Sequence, residues 1–140
     1  MTEFEVVERA PTLEEYREIC AAVGWQDVVN FSVAQTSLGN ALHSVVVTHA
    51  GQAVGMGRIV GDGAIYFYLQ DVAVLPAYQD RGVGNLIMEN LLAYLDRHAP
   101  DKAFIGLFAA SGTYAFYEQY GFGKHRTLTA MFKIMSTAET

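Results

Sequence analysis

The chain has 140 residues, 51% of them hydrophobic and 17% charged, which suits one folded domain with a buried core and excludes a disordered polypeptide. Its formal net charge of −6 argues against a nucleic-acid partner and mildly favours cationic or amine ligands, although acidity for solubility alone explains it equally well. No apolar run approaches the ~18 residues of a membrane span, the acidic N-terminal segment has no signal-peptide architecture, and the single cysteine, Cys20, cannot close an internal disulfide, so the expected location is cytoplasmic with no membrane partner.

The first predicted helix starts at Thr12, because Thr12-Leu13-Glu14-Glu15 has the spacing of a capping box. Leu13, Tyr16, Ile19, Cys20 and Val23 then share one helical face, and Gly24 is its stop. A weaker helical stretch covers Asp27 to Leu38. From Leu42 the pattern turns to strands: Ser44 to Thr48, a turn at His49 to Gln52, and a return over Ala53 to Val60. Gly61-Asp62-Gly63 reads as a hairpin turn, and Ala64 to Leu75 as a long central strand that Pro76 ends. A helix over Val83 to His98 buries Val83, Leu86, Ile87, Leu91, Tyr94 and Leu95. A short buried strand over Phe104 to Phe108, a short helix from Thr113 to Tyr120 stopped by Gly121, and a last strand over Leu128 to Met135 complete the chain. This order predicts one α/β (α+β) domain over residues 1–140, a mixed, mainly antiparallel sheet with helices on both faces.

Between the central strand and its following helix stands Gln79-Asp80-Arg81-Gly82-Val83-Gly84. A strand, a glycine-bearing turn and a helix in that order make an anion site. The first turn of a helix leaves N–H groups without internal partners, and the helix dipole adds partial positive charge there. Gly82 and Gly84 let the backbone bend and approach a phosphate with no Cβ in the way.

Downstream comes Tyr114-Ala-Phe-Tyr117-Glu-Gln-Tyr-Gly121-Phe122. The succession of Val74-Leu75-Pro76-Ala77-Tyr78, the Gln79-x-x-Gly82-x-Gly84 loop, its helix, a strand and this second motif resembles the GCN5-related N-acetyltransferase superfamily over Ile65 to Phe122. The resemblance implies a fold in which two parallel central strands splay apart, and acetyl-coenzyme A as the donor. The backbone of Val72, Ala73 and Val74 would pair with the pantetheine arm as if it were another strand. The N–H groups from Gln79 through Asp80, Arg81, Gly82, Val83 and Gly84 to Asn85 would hold the pyrophosphate. Arg81 either adds charge there or is a solvated loop residue.

The implied reaction is direct attack of a primary amine on the thioester. By resemblance Tyr117 is the general acid, a phenol protonated at neutral pH. Where family members can carry a strand carboxylate as base, this chain has Tyr68 and Gln70. Asp71 is the only acid of that strand, and reads either as a residue touching substrate or its water or as a structural carboxylate. Trp25 and Phe31 lie in the region that covers the acceptor site in the superfamily. With Tyr68 and Gln70 they form the expected acceptor contacts, unless they are core. Ser111 stands where an asparagine is frequent and reads as a helix cap. The four histidines lack metal-ligand spacing, so no metal is expected. Cys20 reads as a small hydrophobe.

The sequence therefore points to an acetyl-CoA-dependent N-acetyltransferase with a small-molecule amine acceptor. A protein (lysine or N-terminal) acetyltransferase, or a non-catalytic acetyl-CoA-binding module, is the alternative. A dinucleotide-binding protein ranks last, because the third glycine of its fingerprint is missing. The apolar stretch Leu128 to Met135 could pair across a homodimer.

Overall fold

The computed structural model describes residues 3–136. They fall into two compact units, one ending at Leu107 and the other beginning at Phe108.

The first unit holds a five-stranded sheet in the order β1 (Glu5–Val7), β2 (His43–His49), β3 (Gln52–Gly61), β4 (Tyr66–Val74) and β5 (Phe104–Gly106). Neighbours are antiparallel except β4 and β5, which run parallel. This is the mixed, mainly antiparallel sheet expected from a meander followed by a βαβ unit. The edge strand β1 had no sequence signal.

Helices cover both faces. Helix α1 (Leu13–Ala22) begins with the expected capping box: Glu15 N–H donates to Thr12 Oγ1 at 3.1 Å, and Thr12 N–H donates to Glu15 Oε1 at 2.9 Å. It ends in a Schellman motif, with Trp25 N–H on the Cys20 carbonyl at 2.7 Å and Gly24 N–H on Ala21 at 3.3 Å. Tyr16, Ile19 and Cys20 of α1 and Ala34 and Leu38 of α2 (Ala34–Gly39) bury themselves against Val46, Met56 and Ala73 of the sheet. The weak helical stretch is shorter than expected. Asn30 caps a single 3-10 turn at Phe31–Val33, and α2 follows it.

Helix α3 (Val83–His98) has the bounds read from the sequence and packs on the opposite face. Val83, Ile87, Leu91 and Leu95 are buried as expected, and Met88 joins them, while Leu86 and Tyr94 are only half-buried. A Cβ on Gly55 would stand 2.8 Å from Val83 Cγ1, and one on Gly57 would stand 2.7 Å from Ile87 Cγ2. Two glycines on one face of β3 thus let α3 lie close to the sheet, while Met56 between them points to the other core.

Strand β4 starts at Tyr66 rather than Ala64, because Asp62 Oδ1 accepts the N–H groups of Ala64, Ile65 and Tyr66 and prolongs the turn. β5 spans three residues where five, Phe104 to Phe108, were expected.

The second unit contains α4 (Tyr114–Glu118), with Gly121 at φ +93 after it. The expected strand over Leu128 to Met135 does not form. Leu128, Met131, Phe132, Ile134 and Met135 are exposed. β-propensity alone does not make a strand: a ladder needs a partner, and among the described residues this stretch has none.

Candidate active site

The first site element is a defect in β4. Ala73 faces Met56 and Gln70 faces Arg58, so on β4 two residues, Asp71 and Val72, stand opposite Gly57 alone. The extra residue is a β-bulge, and Asp71 takes a left-handed backbone with φ +57 to make it. The pairing of β4 with β5 ends just before, at Tyr68↔Gly106. From Leu69 to Val74 that edge of β4 has no strand partner among the described residues. Val72, Ala73 and Val74 lie on this edge, where their backbone can pair with an extended, amide-bearing chain.

The second element is the loop after β4. Gln79 Nε2 donates to the Val74 carbonyl at 3.0 Å and ties the loop back to the strand end. Asp80 (φ +64) and Gly82 (φ +86) are both left-handed, and Gly82 is the N-cap of α3 with no side-chain cap. The first internal bond of the helix is Leu86 N–H to the Gly82 carbonyl at 3.1 Å. The N–H groups of Val83 and Gly84 therefore belong to the turn that a helix cannot satisfy internally. Asn85 stands in the same turn. The 16-residue helix behind them aligns its dipole on this point. Arg81 is not simply solvated: it pairs with the Glu3 carboxylate, and its guanidinium lies over the rings of Phe4 (5.5 Å) and Tyr78 (5.0 Å).

On the α1/α2 face of the sheet, Asp71 Oδ2 accepts from Arg58 Nε at 2.7 Å and from the Tyr16 hydroxyl at 3.0 Å. Arg58 Nη1 donates to the Ser37 carbonyl at 3.0 Å. The side chains of Arg58 and Asp71 are only 11% and 17% exposed. Burial, with the neighbouring Asp71 charge behind it, pushes the Tyr16 phenol far above its ordinary range, so it donates and does not ionise. Burial likewise raises the Cys20 thiol, consistent with an inert small hydrophobe. Above this cluster the surface is only dimpled, with no room for a water-sized molecule, between Pro11, Tyr16, Leu38, Met56, Arg58 and Asp71 among others.

Of the expected acceptor contacts, Phe31 meets the Tyr16 ring edge-on at 6.1 Å and carries the Arg17 guanidinium at 4.7 Å. Trp25 is half-buried against the core cluster of α1 and α2. Tyr68 packs on Phe104 at 6.2 Å and lies over Gly106. The Gln70 amide oxygen is buried without a hydrogen-bond partner in the described structure. Its Cα partner on β3 is Arg58, one position before the bulge at Asp71.

Tyr117 belongs to the second unit. It is half-buried on α4 between Phe116 and Phe122, and burial raises its phenol above the ordinary value, which keeps it protonated through neutral pH. Ser111 does not cap this helix: its N-cap is Thr113, and no side chain bonds there.

Tyr16 and Arg58 were missed from the sequence. Tyr16 was visible only as one apolar stripe residue. Arg58 is a lone charge in the run Ala53 to Val60, the same signal that singled out Asp71. Among the described residues no group of His, Cys, Asp and Glu is placed to hold a metal, and no helix is long and apolar enough to cross a membrane.

An acetyltransferase (GNAT) domain model matches residues 13–133, and the chain belongs to that family. It is 28% identical to a solved protein of meticillin-resistant Staphylococcus aureus described as a "probable acetyltransferase", with a TM-score of 0.87 over 95% of this chain and 99% of that one. Histone acetyltransferase TAP1 of Glycine max is 29% identical over 118 residues, covering 77% of this chain and 50% of that protein. Serotonin N-acetyltransferase 2, chloroplastic, of Oryza sativa subsp. japonica is 36% identical over 73 residues, 52% of this chain and 36% of that protein. The chain thus spans half or less of the length of these two curated relatives.

Proposed function

We propose that this chain is an N-acetyltransferase that moves the acetyl group of acetyl-CoA to a primary amine of a small molecule. The observation that carries the reading is the unpaired β4 edge from Leu69 to Val74 running into the left-handed Asp80–Gly82 loop and the N-terminus of α3. Strand edge and helix start follow one another in the order that an amide-bearing arm ending in a pyrophosphate requires.

The residues present fit that group. The backbone of Val72, Ala73 and Val74 would hold the pantetheine amides, and the N–H groups of the Asp80–Asn85 segment its phosphates, Gln79 N–H being spent on the Pro76 carbonyl at 3.3 Å. Arg81, held beside the loop by Glu3, Phe4 and Tyr78, would add positive charge. Bound acetyl-CoA supplies an activated acyl group. The chain's own part is to orient it, to offer a hydrogen-bond donor near its carbonyl from the bulged strand, and to keep a proton on the Tyr117 hydroxyl for the departing thiolate. Trp25, Phe31, Tyr68 and Gln70 would contact the acceptor. The name of the soybean relative favours a second reading, in which the amine belongs to a protein.

Acetyl-CoA is expected to raise the melting temperature, and NAD to leave it unchanged. Free thiol is expected when acetyl-CoA is offered with one member of a set comprising spermidine, glucosamine, tryptamine and a lysine peptide. Thiol release with the peptide alone moves the acceptor to the protein reading. Acetyl-CoA binding with no thiol release from any amine leaves a binding module.

A further inference from the structure

We infer that Asp71 is a positioning residue: the buried clasp Tyr16–Asp71–Arg58–Ser37 fixes the β4 bulge and so sets the direction of the Val72–Val74 edge on which acetyl-CoA is received. The inference rests on the proposed function and adds a cause for the shape of its donor site.

A left-handed backbone at a non-glycine residue persists only where surrounding contacts over-determine it. Asp71 adopts φ +57 in the bulge, three residues beyond Tyr68, the last residue of β4 that is paired to β5. Its carboxylate is held by two donors on one oxygen, Arg58 Nε at 2.7 Å and the Tyr16 hydroxyl at 3.0 Å. Arg58 is anchored in turn on the Ser37 carbonyl at 3.0 Å. Four elements (α1, α2, β3 and β4) thus converge on one strained residue. The bulge turns β4 where β5 stops following it, and bulges re-aim a strand in just this way. With Oδ2 committed to a guanidinium and a phenol, Asp71 is engaged in holding the strand rather than free to take a proton from an amine.

A clasp that merely stabilises the core would give a different result from one that aims the strand, and the two separate in one pair of proteins. In full-length Arg58→Met the carboxylate loses its buried partner, and the melting temperature falls. In full-length Arg58→Met/Asp71→Gly neither charge is left buried alone, and glycine tolerates either backbone, so the melting temperature recovers to near wild type. Calorimetric titration with acetyl-CoA is then expected to show the double variant binding about tenfold more weakly than wild type, because the edge is no longer held in one direction. Wild-type affinity in a recovered double variant overturns the positioning role and leaves a core ion pair. If the double variant does not fold, Tyr16→Phe, which removes one hydroxyl, carries the question: weaker acetyl-CoA binding supports the clasp, and unchanged binding refutes it. Failure of the wild-type chain itself to bind acetyl-CoA removes the donor-site reading on which the inference stands.

Discussion

The chain bends its backbone into the left-handed region at two neighbouring places, and secures each by different means. At the loop, Gly82 reaches φ +86 with nothing within 4 Å of where a Cβ would stand. Glycine costs little there, and the loop stays open for a ligand. At the bulge, Asp71 reaches φ +57 as a charged residue, and buried partners from three other elements secure it. The loop is a local solution, made by Asp80 and Gly82 within three residues of one another. The bulge is a tertiary solution, stable only once α1, α2 and β3 are in place. The loop should therefore break in binding, and the bulge in folding.

The largest effect expected follows from that contrast. Arg58→Met leaves the Asp71 carboxylate buried without its cation, and should cost about 3–5 kcal/mol of unfolding free energy in urea denaturation. A loss below about 1 kcal/mol would mean that water replaces the guanidinium and that the bulge stands without its clasp. Gly82→Val should cost less, about 1–3 kcal/mol, since a β-branched residue is strained at this φ but meets no neighbour. Its main signature should be a loss of stabilisation by acetyl-CoA, measured as the shift in melting temperature. A Gly82→Val protein that folds and is stabilised like wild type would show that the loop conformation does not matter to the ligand.

Tyr117→Phe tests the second unit. Removing the hydroxyl should leave acetyl-CoA affinity unchanged and lower turnover with the best amine by about 10²-fold, the lower end for a general acid. Because burial raises the phenol above its ordinary range, the wild-type rate should not fall from loss of this proton below about pH 10. Unchanged turnover would remove Tyr117 from the chemistry.

The same contrast decides what was legible in the sequence. The capping box at Thr12, the bounds of α3 and the glycine loop were readable because each is fixed by residues close together in the chain. The bulge was not, because its register depends on β3 opposite it. Asp71 could be noticed as an acid in an apolar strand, but its partners Tyr16 and Arg58 lie 55 and 13 residues away. The strand read over Leu128 to Met135 failed for a related reason: apolar β-formers name a strand only when something pairs with them, and the local pattern cannot say whether it does.

The smallest effect expected comes from a more exposed ion pair at the start of α1, and it measures how much burial contributes at the bulge. Arg9 holds Glu15 through two bonds of 2.8 and 3.1 Å at the start of the helix, with side chains 38% and 20% exposed. The Arg9 guanidinium is the main reason that the Glu15 carboxyl lies below the ordinary glutamate range, with Thr12 N–H helping. A depressed carboxylate stabilises the fold above the unfolded value of about 4.3, and that stability is lost as the pH falls through the folded value. Glu15→Gln should therefore lower stability at pH 7 by less than about 1 kcal/mol, since solvent screens the pair. The difference from wild type should shrink as the pH drops through the acid range, read from urea midpoints at successive pH values. If Glu15→Gln costs as much at neutral pH as Arg58→Met, then burial is not what separates the two pairs, and the bulge has no special claim to its clasp.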